Sequence, residues 1–122
     1  MHVTANTSFP HHKLDAYHLS LEVAKEARRL ADMVPIGHRK VADHLQRSGA
    51  APVMLIAEGA NRHSGGTKRQ RFSEAGGEVG EAAAAAELLV VIGQIPEAQS
   101  RQFFVMADRL AAMLTRLVQR WS

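Results

Sequence analysis

Apolar residues recur at helical spacing in four separate stretches of the chain. In the first stretch, Leu14, Tyr17, Leu21, Ala24 and Ala31 make one stripe. Leu19, Val23, Ala27, Leu30 and Val34 make a second on a neighbouring face. Steps of three and four residues align on one side of a helix, so a helix over about 14–34 is predicted, ended by Pro35-Ile36-Gly37. Two apolar faces on one helix are more than a simple bundle needs. The second stretch, about 38–62, carries Val41, Leu45, Ser48, Leu55 and Gly59, with a kink expected at Pro52 because proline removes one helical hydrogen bond.

Ser64-Gly65-Gly66 reads as a break, and Thr67 with Gln70 as a capping box that opens a third helix over about 67–92. Inside it stand Gly76, Gly77 and Gly80, followed by five alanines from Ala82 to Ala86. Each glycine weakens a lone helix by about 1 kcal/mol relative to alanine. Close approach of a neighbouring backbone at Gly77 and Gly80, and at Gly59 on the second helix, would justify that cost. Gly93 stops the third helix and Pro96 opens a fourth over about 96–120. There Phe103, Ala107, Leu110, Leu114, Leu117 and Trp121 line one face, broadened by Phe104, Ala111 and Val118. The pattern predicts an all-α, single-domain, antiparallel up-down four-helix bundle over 13–122, preceded by a flexible polar tail over 1–12. The second face of the first helix and the broad face of the fourth predict a homo-oligomer.

Composition narrows the functional classes. There is no cysteine among the 122 residues, which excludes a disulfide framework and a thiolate metal site and suits a cytoplasmic protein. The longest apolar run, Leu88 to Ile92, is far short of the roughly 20 residues of a membrane span, and no secretory leader is apparent. The net charge of +3 permits a nucleic-acid partner without demanding one.

Two sets of residues carry candidate chemistry. Glu58 and Arg62 are one helical turn apart and can form an ion pair, which Glu81 could join from the third helix. No nucleophile or metal-ligand set accompanies these acids. A structural polar network that fixes helix register is therefore favoured over an acid/base dyad. The segment from Gly59 to Ser73 holds Arg62, Lys68, Arg69, Arg71 and His63 and no acid. Cations, a glycine-rich link and the free N–H groups of a helix start together suit a phosphate. Aromatic side chains are scarce nearby, so backbone contacts are expected rather than base stacking, with side chains at 68, 69 and 71 facing water. Seven histidines do not amount to a metal site, because no Glu-x-x-His occurs and Asp15 with His18 stands alone. No Walker A loop, dinucleotide fingerprint or zinc motif is present, and no cofactor is expected.

The segments His44-Leu45-Gln46-Arg47-Ser48, Leu55-Ile56-Ala57-Glu58-Gly59-Ala60-Asn61-Arg62 and Ala75-Gly76-Gly77-Glu78-Val79-Gly80-Glu81, with the opening Leu14-Asp15-Ala16-Tyr17, form a recognisable set. The chain resembles the bacterial four-helix bundle proteins encoded in intervening sequences of 23S ribosomal RNA genes. That family also includes the accessory proteins of diversity-generating retroelements. The resemblance covers residues 14 to about 118. It departs from the family pattern at Leu55 (usually Asn), Glu78 (usually Ser) and His44 (usually Gln). It implies a homopentameric ring and no established catalytic activity. For the retroelement branch it implies nucleic-acid binding and a reverse-transcriptase partner. Three function classes follow, in this order: a nucleic-acid-binding accessory or scaffold protein, a protein–protein assembly module, and a small enzyme using Glu58 and Glu81.

Overall fold

The computed structural model describes residues 7–122, which form four helices: α1 (Asp15–Asp32), α2 (Arg39–Asn61), α3 (Gly65–Val91) and α4 (Glu97–Arg120). Single 3-10 turns occupy Pro10–Lys13 and Ile36–His38, and there is no strand among the described residues. α2 packs on α1 and α3, and α4 on α3 and α1, closing a four-helix bundle. Of the tail expected over 1–12, residues 1–6 lie outside the described residues. In the 3-10 turn over Pro10–Lys13, His11 and His12 are half-buried against the bundle.

The core draws on one stripe per helix. α1 buries Ala16, Ser20, Val23, Ala27, Leu30 and Ala31, so its second predicted stripe faces inward. The first stripe stays half-exposed at Tyr17, Leu21 and Ala24. α2 runs unbroken through the buried Pro52. α3 contributes Phe72, Ala75, Val79, Ala82, Ala86 and Leu89, and α4 contributes Phe103, Ala107, Leu110 and Leu114. Among the described residues, no helix is long and apolar enough to cross a membrane.

Two expectations about α3 are corrected. It starts at Gly65, because the Ser64 hydroxyl accepts from the Thr67 N–H at 3.4 Å while the Ser64 backbone is extended, as an N-cap requires. Thr67 is therefore not the cap. Gly65 and Gly66 fill the first turn instead of breaking the chain. Second, the glycines of α3 are not where helices touch. A Cβ built on Gly76, Gly77 or Gly80 meets nothing within 4 Å. The core stripe 72-75-79-82-86-89 leaves all three off the packed face, and alanines make the close contact.

Close approach occurs on α2. A Cβ on Gly49 would lie 2.4 Å from the Ala27 Cβ of α1. One on Gly59 would lie 2.8 Å from the Phe72 ring of α3, as expected for Gly59. Helix ends are closed by neighbours. Arg39 donates to the Ala31 and Val34 carbonyls at the end of α1, both at 3.4 Å. After α3, Gly93 takes a positive φ of 78°, so that its N–H reaches Val90 O and the Gln94 N–H reaches Leu89 O at 2.8 Å.

Gly49→Ala is expected to destabilise the protein by about 1–3 kcal/mol, because the methyl meets a Cβ fixed to the α1 backbone and the two helices must part. Gly59→Ala should fall at the low end of that range, since the Phe72 ring can pivot. Urea unfolding midpoints check both.

Candidate nucleic-acid interface

One end of the bundle gathers the start of α1, the end of α2, the start of α3 and the end of α4. His11 in the 3-10 turn before α1 meets the side chain of Asn61, the last residue of α2, at 2.9 Å. The Trp121 ring, just past α4, lies 5.2 Å from Lys68 Nζ and also borders Gly65 in the first turn of α3. Lys68 links these elements. Its ammonium donates to Gly59 O at 3.2 Å and Ala60 O at 3.0 Å. Gly59 O also accepts from the Arg62 N–H at 3.4 Å, while carbonyls at a helix C-terminus lack the usual intrahelical donors and a cation there is favoured by the helix dipole.

The four cations of the expected phosphate site therefore divide. Lys68 caps α2. Arg71 is held by acids: its Nη1 donates to Glu74 at 3.0 Å, and its Nε lies 3.4 Å from Glu58 Oε2. The Nε is buried and reaches Glu58 at ion-pair distance without hydrogen-bond geometry. The expectation that 68, 69 and 71 all face water is thus corrected. Arg62 and Arg69 are exposed and make no ion pair among the described residues.

The network expected from Glu58, Arg62 and Glu81 does not assemble. Arg62 follows the last turn of α2 with extended backbone (φ −88°, ψ 154°), so the one-turn spacing to Glu58 no longer applies. Glu58 pairs with Arg71 instead. Glu81 approaches His44 at 3.4 Å. His44 and Glu58 are fourteen residues apart on α2, about 20 Å along its axis, so the two acids share no site.

Spatial sorting of charge adds what linear order hid. Ten residues into each helix from this end, with the flanking links, the cations are Lys13, Arg62, Lys68, Arg69, Arg71, Arg116 and Arg120. The acids in the same zone are Asp15, Glu22, Glu58 and Glu74. Seven cations face four acids here, whereas the remaining eight cations are matched by eight acids, so the whole net charge of +3 resides at this end. Arg116 and Arg120 had a signal in the sequence, a four-residue spacing on the last helix. With Leu14, Asp15 and Met113 they line a cleft of about 240 Å³ between α1 and α4. On the other side of α4, Arg69, Gln70 and Val118 line a second groove. Trp121, which sequence periodicity put on the core face, sits between cations instead: Arg120 is 5.7 Å from its ring centroid. An aromatic group does therefore accompany the basic segment.

Beside this end His11 packs on Tyr17 and His12 at ring-centroid distances of 4.6 Å and 4.4 Å. The His18 ring nitrogen is 2.8 Å from His12 O. Partial burial, then the neighbouring His12 and His18, hold the His11 pKa below the ordinary histidine value. The Asn61 amide donates to the His11 Nδ1, which must be unprotonated to accept.

Residues 12–116 match the family model described as 23S rRNA-intervening sequence protein. No curated protein is similar enough to count as a match.

Lys68→Gln is expected to lower stability by about 1 kcal/mol through loss of the α2 cap. Arg69→Gln should stay within about 0.5 kcal/mol of wild type. Urea unfolding of the two variants separates the structural cation from the free one. The turn Pro10–Lys13 should also loosen in acid. A lowered folded pKa means that the detached segment binds the proton more readily. Docking is then fully favourable above about pH 6.5 and is lost as pH falls below it. Amide exchange over Phe9–Leu14, corrected for intrinsic rate, should accelerate between pH 7.5 and 5.5, and His11→Asn should flatten the change.

Proposed function

The chain belongs to the 23S rRNA-intervening sequence protein family, and from that premise we propose that it is a non-enzymatic, homo-oligomeric bundle of up-and-down antiparallel helices that binds the backbone of RNA or DNA as an accessory or scaffold protein. The observation that carries this reading is the confinement of the net positive charge to one end of the bundle. Lys13, Arg62, Arg69 and Arg116 are exposed there, with no ion pair among the described residues to neutralise them. Such a surface attracts a polyanion without reading its sequence, because phosphate contacts fix position and not base identity.

Assembly has its own support at the opposite end. Leu88, Val91, Ile92 and Val105 are exposed, Val91 by 82%. Val90, Val91, Phe104 and Val105 line a groove of about 530 Å³ between α3 and α4. Glu87, Glu97, Ser100 and Arg101 line the rest of the groove, so the apolar strip has charged neighbours, and exposed apolar surface rimmed by polar residues marks interaction sites. If copies meet through it in a closed ring, the basic ends repeat around one axis, and several modest phosphate contacts sum to useful avidity. The family resemblance implies five copies. If the protein is an assembly module alone, this strip remains and the basic end has no ligand.

A salt titration tests the proposal. Binding of labelled single-stranded RNA should weaken steeply with salt, and the variant Arg62→Gln/Arg69→Gln/Arg116→Gln should reduce the log–log slope by about two at unchanged fold. Equal and negligible binding by both proteins at low salt would leave the assembly module as the better account. Light scattering checks the other half: wild type should be a discrete oligomer, and Val91→Asp/Val105→Asp should release monomers.

A further inference from the structure

The basic end also carries a feature that phosphate contacts alone do not use. Trp121 is the protein's one tryptophan. It lies beyond the last turn of α4, outside the core stripe that its spacing would have joined, and is 36% exposed. Its indole borders Gly65 at the start of α3, where an added Cβ would come within 3.5 Å of Cε3. Lys68 stands over the ring at 5.2 Å, and Arg120 is 5.7 Å away. Lys68 is itself fixed by two carbonyls at the end of α2. The ring is thus held against the start of α3 and the fixed Lys68, with Arg120 beside it, while part of its surface stays in water.

Its position relative to the free cations matters as much. The end of α4 separates two grooves, one bearing Arg116 and Arg120 and the other bearing Arg69. A polyanion crossing from one groove to the other around the tip of α4 passes the indole. A partly exposed aromatic ring flanked by cations is the arrangement that holds single-stranded nucleic acid, since every base offers a π-face and the cations take the adjoining phosphates. A duplex keeps its bases stacked on each other and offers none to the ring.

We propose that Trp121 is a base-stacking platform, so that the basic end takes single-stranded RNA or DNA in preference to duplex. This rests on the nucleic-acid reading above and adds the class of strand to it.

The tryptophan is its own reporter. Wild-type protein is titrated with an oligothymidylate of 15 nucleotides and, separately, with a duplex of the same length. Intrinsic fluorescence and the anisotropy of a labelled strand are followed together, and the same titrations are run with Trp121→Ala and Trp121→Phe. Stacking predicts that the single strand quenches Trp121 emission and the duplex does not. It also predicts that Trp121→Ala weakens single-strand binding about tenfold, with duplex binding unchanged, and that Trp121→Phe retains most of the affinity. Anisotropy that reports single-strand binding without quenching, with Trp121→Ala equal to wild type, overturns the stacking platform and leaves the backbone-binding proposal standing. Absence of binding to either polymer overturns both. Because the quenching is read on wild-type protein, a poorly folded alanine variant does not decide the result.

Discussion

Two carbonyls at the end of α2, those of Gly59 and Ala60, organise this molecule. A helix terminus cannot satisfy its last carbonyls by itself, and leaving them unpaired in a packed joint is costly. Lys68 donates to both from the first turns of α3, at 3.2 and 3.0 Å, with the Arg62 N–H also reaching Gly59 O at 3.4 Å, and so ties the start of α3 to the end of α2. Around that bond the joint closes tightly. Gly59 has no Cβ because the Phe72 ring occupies its place. Glu58 and Arg71 come together one turn away, and Trp121 brings the end of α4 onto the same lysine. Arg39 performs the same service for α1, and the turn at Gly93 does so with backbone groups for α3.

The joint also decides which charges are available to a ligand. Of the cations near it, Lys68 and Arg71 are engaged in holding helices together, whereas Arg62 and Arg69 are left to the solvent. Lys13 and Arg116 arrive from α1 and α4 because those helices have termini at the same end. A surface that would be ordinary on any one helix becomes basic only when four termini are gathered. The opposite end differs: its cations are matched by acids, Arg29 being tied to Glu26 at 2.9 Å and to Gln99 of α4 at 2.7 Å, and Leu88, Val91, Ile92 and Val105 are exposed there. A polar pole and an apolar strip on one small bundle are consistent with one surface for a polyanion and another for copies of the chain.

Helix number and extent were legible in the sequence because they depend on local periodicity and on punctuation such as Pro35, Gly93 and Pro96. The site was legible only in part. Arg62 and Arg69 were found as members of a cationic run, but the run appeared free of acid because Glu58 and Glu74 lie outside it in order and reach Arg71 only in space. The role of Lys68 depends on carbonyls nine and eight residues earlier, which no spacing rule marks. The glycines of α3 misled for a related reason. A glycine signals that a side chain is absent, not which way the gap faces, and the core stripe of Phe72, Ala75, Val79 and Ala82 turns Gly77 and Gly80 outward. Gly49, which does touch a neighbour, stood in no motif. Trp121 continued an apolar stripe by spacing, yet the helix ends before it, so it serves the surface.

The central claim is that the basic end, and not the apolar strip, is where this family member meets nucleic acid. Hydrogen–deuterium exchange on the intact protein, with and without single-stranded RNA, tests it most directly. The account predicts protection concentrated in residues 9–18, 61–71 and 116–122, with α3 beyond Val79 and the first half of α4 unchanged. Protection confined to residues 84–105, or spread evenly over all four helices, would contradict it.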